Sequence, residues 1–207
     1  MSEKDRLCEQ RKAVLKAAVS MAQLGLATGS SGNVSQRLAD GLLITASGIP
    51  YDVIQPQEII EIDADGHRRS GDGEPSSEWR MHAAIYAERR DVTAIVHTHS
   101  ICATAAATAL RMLPVPHDEG RILFGDAVPV STHQPPGTWD LAHAVVEALG
   151  SGRLVLIARH GAVAVGATLT EALASSVKLE EIARLALLSR QFRDLMPNLE
   201  ADDDGQR

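Results

Sequence analysis

The sequence predicts an α/β fold: a three-layer α-β-α sandwich with a central mixed, largely antiparallel sheet, in a single domain. Three observations carry that prediction. Short apolar runs of strand length interleave with longer stretches whose apolar residues recur at helical spacing. Hairpin signals join some neighbouring strands, which demands antiparallel pairing. The 207 residues, with no repeat and no linker composition, suit one hydrophobic core. Sheets of this kind are buried by helices on both faces.

Along the chain, Asp5 to Leu26 reads as a helix, with Val14, Ala18, Met21 and Ala22 on one face and Gly25 at its end. Val34–Arg37 and Leu42–Thr45 read as strands around the turn Asp40-Gly41, and Ile59–Ile62 as a third. Arg68–Pro75 is polar and Gly-rich, so a loop is expected. A helix capped by Ser76 or Ser77, with Glu78 in its first turn, should run to about Arg89. Thr93–His99 reads as a strand, Ile101–Leu110 as a short helix of small residues and Leu113–Phe124 as irregular. Ala127–Val130 is a short strand and Trp139–Leu149 an amphipathic helix. Leu154–Ala158 and Ala162–Val165 are strands on either side of Arg159-His160-Gly161. Thr170 is the expected cap of a long closing helix to Leu195. The domain spans residues 1–199, and the acidic tail 200–207 is expected to fray.

Hydrophobic residues are 44 % and aromatics only 3 %, so the core is aliphatic and rich in small side chains. A net charge of −7 argues against a nucleic-acid partner. It does not exclude anionic substrates, because backbone N–H groups bind phosphate without net positive charge. No apolar run approaches the ~20 residues that cross a bilayer, and the charged start has no signal-peptide core, so no membrane partner and a cytoplasmic location are expected. The two cysteines, Cys8 and Cys102, are too few for a disulfide scaffold and read as reduced.

The chemistry concentrates at Val96-His97-Thr98-His99. Side chains alternate along a strand, so His97 and His99 project on the same side and near the strand's end. His160 follows the apolar run Leu154–Ala158 in an equivalent position. Three imidazoles leave an open fourth place on zinc, the catalytic rather than the structural pattern. Manganese, cobalt or iron(II) are alternatives, since imidazole suits several ions. Taken alone, a His-x-His pair also reads as two packed histidines. His67, His82, His133 and His143 read as surface or packing residues.

Three small polar loops, Thr28–Asn33, Thr45–Gly48 and Pro75–Glu78, supply glycines, hydroxyls and a helix N-terminus, which are the parts of an anion cradle. They equally suit turns and caps, and both readings stay open. Glu78 likewise reads as a general base or as an ordinary first-turn acid.

Five ordered motifs together resemble the class II aldolase/adducin family: Gly25–Ser35 with its Ser-Gly-Asn-Val-Ser, Leu43–Tyr51, Pro75–His82, Val96–His99 and His160–Gly161. The resemblance covers about Leu24 to Leu185. It implies that His97, His99 and His160 ligate zinc, and that Glu78 is the catalytic acid/base and also ligates the ion when substrate is absent. It implies that Gly32, Asn33, Ser47, Gly48, Ser76 and Ser77 hold the substrate phosphate. A homotetramer with its site near a subunit boundary is implied as well.

The implied activity is metal-dependent, reversible cleavage of a ketose 1-phosphate, of the fuculose, 5-deoxyribulose or methylthioribulose type, to dihydroxyacetone phosphate and an aldehyde. Dehydration of methylthioribulose 1-phosphate, or decarboxylase or epimerase chemistry, are the family's other reactions. An adducin-like module without metal is the non-catalytic alternative. Asp118 stands where aldolase members carry a proton-donating tyrosine. Glu119 stands where the dehydratases carry an acid/base glutamate. The chain also stops soon after its long helix. These departures favour a substrate with a short or deoxy end.

Overall fold

The computed structural model describes residues 2–196. The tail 200–207, expected to fray, lies outside the described residues, as does the end of the domain at 197–199. Helix α1, Glu3–Gln23, opens on a capping box in which Ser2 accepts from the Asp5 N–H and Asp5 reaches back to the Ser2 N–H. Strands β1, Asn33–Leu38, and β2, Gly41–Thr45, form the predicted hairpin. A 3-10 turn at Pro56–Glu58 leads into β3, Ile59–Ile62, and then β4, Arg68–Ser70. Next come α2, Trp79–Glu88; β5, Ala94–Thr98; and α3, Ile101–Ala109. They are followed by β6, Met112–Pro114; α4, Asp118–Phe124; β7, Ala127–Pro129; and α5, Trp139–Leu149. The chain closes with β8, Leu154–Ile157; β9, Gly161–Gly166; and α6, Leu169–Leu195.

Seven strands form one sheet in the order β4-β3-β2-β1-β5-β9-β8. Every ladder in it is antiparallel. The parallel component of the expected mixed sheet is, among the described residues, one isolated bridge between Val130 and Leu156 at the β8 edge.

Strand alternation sorts the core into the two outer layers. Ile44, Ile95, Val163 and Val165 face Met81 and Ile85 of α2 and Leu141 and Val145 of α5. On the opposite face, Val34, Leu43 and Val96 meet Val14, Ala18 and Met21 of α1. Ala162 and Ala164 face Leu179, Ile182 and Ala183 of α6 and Ala103, Ala106 and Ala107 of α3. The small side chains on both sides of that last seam let helices lie close to the sheet, which is how a chain so poor in aromatics fills its core.

Several local expectations are corrected. Arg68–Ser70 is a strand rather than loop; it is an exposed edge paired to β3 across a bulge, so it carries no apolar alternation to announce it. Leu113–Phe124 is not irregular: it holds the last two residues of β6, which pairs with β7 in a separate ribbon, and the whole of α4. Glu78 is the cap residue of α2 and not part of its first turn. The closing helix is capped by Thr168, whose hydroxyl accepts from the Glu171 N–H, and Thr170 lies inside it. Cys8 and Cys102 are both free thiols. Among the described residues no helix is long and apolar enough to cross a membrane.

Candidate metal centre

His97 is the penultimate residue of β5, and it lies opposite Asn33 on β1 and Val163 on β9. Its parity with Ile95 turns it to the α2 face of the sheet, toward Glu78 at that helix's start. His99 follows as the chain leaves the sheet for α3. His160 sits in the tight turn between β8 and β9, where Arg159 adopts a left-handed φ of 60°. Two glycines let these segments touch. A Cβ on Gly161 would lie 2.3 Å from the Thr98 carbonyl oxygen, and one on Gly32 would lie 2.5 Å from that of His97. Gly32 also has φ +74°, a conformation that disfavours any other residue.

The structure brings His97, His99, His160 and Glu78 together, with one ligand atom from each within 4.8 Å of the others. The ring centroids are 4.8, 4.9 and 5.0 Å apart. His97 Nε2 lies 2.9 Å from Glu78 Oε2 and 2.9 Å from His99 Nε2, and His160 Nε2 lies 3.3 Å from Glu78 Oε1. His97 Nδ1 is 2.9 Å from the Ala162 carbonyl oxygen, so its proton belongs on Nδ1 and the Nε2 lone pair points inward. Such an outer bond is the usual way a protein aims an imidazole ligand.

Electrostatics favour a cation at this point. Burial pulls the Glu78 carboxyl up, but the His97 and His160 rings and the Asn33 amide outweigh it and hold it far below the usual carboxylate range. Burial, with the neighbouring His97 and His160, pushes His99 down to about 4, and burial with His97 pushes His160 down too. Desolvation also opposes charge on His97, yet Glu78 raises it overall. The ionised carboxylate and the lowered His99 and His160 rings form most of a ligand set, and a cation would take the place of the His97 proton held by Glu78. Glu78 Oε1 is buried without a hydrogen-bond donor, an orphan that a cation would satisfy. Three imidazoles and one carboxylate suit zinc and its divalent neighbours.

The three polar loops are tied to one another. Tyr51 donates its hydroxyl to the Gly32 carbonyl at 2.7 Å and its N–H to Gly29. Ala46 bridges to Pro75, the Ser47 N–H donates to Glu74 and the Ser76 N–H donates to Thr45. Ser47, Gly48 and Ser77 are exposed, and Gly48 has open space on its Cα. Ser76 is buried, and its hydroxyl accepts from the Glu78 N–H. Asn33 is buried too: its Nδ2 donates to Glu78 Oε2 at 3.1 Å and its Oδ1 accepts from His82. Glu119 is not part of this group; it lies exposed on α4 and pairs with Lys178 of α6 at 3.3 Å. Asp118 opens the same helix.

His82, expected at the surface or in packing, has a polar role in the interior. It is completely buried and bonded to Asn33 and Ser35, next to Tyr86. The available signal was spacing: His82 lies four residues after Glu78, and Tyr86 four after that, on one face of a helix.

The Class II Aldolase and Adducin N-terminal domain model matches residues 12–187. The chain is 35 % identical over 201 residues to an L-fuculose phosphate aldolase of Escherichia coli O6:H1, covering 97 % of this chain and 92 % of that one. It is 39 % identical over 173 residues to the 5-methylthioribulose-1-phosphate/5-deoxyribulose-1-phosphate aldolase of Rhodospirillum rubrum, covering 84 % and 78 %. Among solved structures, an L-fuculose 1-phosphate aldolase superposes with a TM-score of 0.85 at 31 % identity, over 89 % of this chain and 87 % of the other. The chain belongs to the class II aldolase and adducin family, and falls on its enzymatic, carbon–carbon lyase side.

Proposed function

We propose that the protein reversibly cleaves a ketose 1-phosphate to dihydroxyacetone phosphate and an aldehyde, using a divalent ion, zinc first, held by His97, His99 and His160. The observation that carries this reading is the Glu78 carboxylate set among three inward-facing imidazoles with one oxygen unpartnered. When bound, the ion supplies Lewis-acid stabilisation of the negative charge that builds on the ketose oxygens. In the synthetic direction, Glu78 removes the proton from C3 of dihydroxyacetone phosphate, and the resulting enediolate carbon attacks the aldehyde. The alkoxide so formed at C4 takes a proton from water; cleavage runs in reverse, the C4 hydroxyl giving its proton to water as the C3–C4 bond breaks and Glu78 returning the other proton to C3.

The phosphate end is assigned to the tied loops: Gly32 and Asn33, Ser47 and Gly48, and Ser76 and Ser77 at the α2 N-terminus, where the helix dipole favours an anion. Glu78 starts that same helix, so phosphate capture and proton transfer are placed by one element. A dehydration through Glu119 draws no support from its exposed pairing with Lys178 within the subunit. The chain is read as a cytoplasmic homotetramer with the site near a subunit boundary. The favoured substrates have a short or deoxy end, such as 5-deoxyribulose or methylthioribulose 1-phosphate, with fuculose 1-phosphate next.

The test is a panel of those three ketose 1-phosphates, each assayed with zinc, manganese and cobalt for triose phosphate release. Dihydroxyacetone phosphate should appear from at least one. Turnover that yields only a dehydrated or decarboxylated product would contradict the aldolase reading. Glu78→Gln should keep the ion, because the three imidazoles remain, and lose ~10²–10⁴-fold in kcat. An unchanged kcat would remove Glu78 from proton transfer.

A further inference from the structure

A buried chain of hydrogen bonds runs from the interior of the sheet to Glu78, and no step above uses it. Ser35 and Asn33 lie on the same face of β1, two residues apart, and both point toward α2. Ser35 Oγ lies 2.7 Å from His82 Nδ1 and 2.8 Å from the Tyr86 hydroxyl. His82 Nε2 meets Asn33 Oδ1, and Asn33 Nδ2 meets Glu78 Oε2 at 3.1 Å. Ser35 and His82 are both 0 % exposed.

The direction of every bond follows from its last acceptor. An ionised carboxylate only accepts, so Asn33 must present its NH₂ to Glu78 and its carbonyl to His82. His82 Nε2 must then carry a proton. Burial, reinforced by His97, drives the His82 pKa down to about 3, so the ring is neutral and Nδ1 is an acceptor. Ser35 therefore donates to Nδ1 and accepts from the nearer Tyr86 hydroxyl; the Thr93 carbonyl, at 3.4 Å, is that hydroxyl's other acceptor. A reversed Asn33 amide would set its carbonyl oxygen against the Glu78 carboxylate, and the His82 N–H forbids that reversal.

We propose that Ser35 and His82 are positioning residues: they lock the Asn33 amide with its NH₂ toward Glu78, and so hold the carboxylate in the orientation from which it both faces the ion and exchanges the C3 proton. The inference rests on the aldolase reading of the site, and deepens it. Outer partners of this kind typically contribute ~10–100-fold in activity or metal affinity.

Two substitutions at one position keep or remove the donor toward Asn33, and the cobalt spectrum reads the carboxylate's place, which packing alone would leave unmoved. The Gln amide nitrogen reaches about as far as His Nε2 and keeps a donor toward Asn33, whereas Asn reaches only as far as Nδ1 and loses it. Wild type, His82→Gln, His82→Asn, Ser35→Ala and Glu78→Gln would be loaded with cobalt(II) alone. Their visible absorption would report whether the carboxylate stands beside the ion. Steady-state kinetics with 5-deoxyribulose 1-phosphate would accompany it.

The expected result is a His82→Asn spectrum displaced toward that of Glu78→Gln, with kcat down roughly 10–100-fold and KM little changed. His82→Gln should restore both, and Ser35→Ala should move both the same way by less, which keeps the test open if His82→Asn does not fold. Wild-type spectra and kcat in His82→Asn and Ser35→Ala would overturn the proposal. So would a His82→Gln as impaired as His82→Asn, since regaining the donor toward Asn33 would then restore nothing. A wild-type protein that takes up no cobalt would overturn the metal reading itself, and this inference with it.

Discussion

At single residues the site depends on positions that do no chemistry. Gly32 combines φ +74° with a Cα that a methyl would drive to 2.5 Å from the His97 carbonyl oxygen. Gly32→Ala should cost about 1–3 kcal/mol in backbone strain alone and push the end of β5 away from its ligand geometry. Urea denaturation and zinc titration should both register the change, and a variant equal to wild type in both would show that the contact is not tight. His82 gives a pH signature. Its folded pKa, about 3, lies below the ordinary 6.5, so between those values the unfolded chain binds a proton that the native one does not. Stability of the metal-free protein should therefore rise with pH across that window, by about 1.4 kcal/mol per unit from this group. His97, raised by Glu78, acts in the opposite sense: its contribution is present below 6.5 and fades as pH climbs past its folded pKa. Comparing wild type with His82→Gln at pH 5 and 7.5 isolates the His82 part, and an unchanged slope would refute it.

At the scale of elements, what the sequence revealed depended on whether a segment buries one clean face. β2, β3, β5, β8 and β9 carry apolar runs forced by the core and β1 is marked by its Asp40-Gly41 turn, so each is legible, together with the turn and strand end that bring His160 and His97 together. β4 and β6 were not: one is an exposed edge, and the other is a three-residue strand with only Leu113 buried. α4 offers just one buried residue, Gly120, and so has no stripe to read. Side-chain partners were hidden for a different reason. Whether Asn33 turns its amide to Glu78 depends on β1 pairing beside β5 and lying under α2, a nonlocal fact that spacing within one segment does not contain. The cap of α6 was misplaced by two residues, because Thr168 and Thr170 are equivalent as residue types and only the bond from the Glu171 N–H distinguishes them. Thr168→Ala should cost about 1 kcal/mol, while Thr170→Ala should stay within about 0.5 kcal/mol. Thermal melts that ranked them in reverse would restore the sequence reading.

For the whole molecule, the antiparallel sheet with helices on both faces leaves one rim where β1, β5 and the β8–β9 turn meet the start of α2, and His97, His99, His160 and Glu78 sit there. Apolar side chains remain exposed elsewhere, among them Ile101 at 81 % and Ile122 at 84 %. A homotetramer would cover part of that surface. Light scattering should give the mass of four chains of 22.1 kDa each, and a monomer at micromolar concentration would contradict it. All of the proposed chemistry rests on one cation shared by His97, His99 and His160. Elemental analysis of the purified protein beside its His97→Ala/His99→Ala/His160→Ala variant tests this most directly. The account predicts one divalent ion per chain in the first and none in the second; equal metal content in the two, or no ion in either, would contradict it.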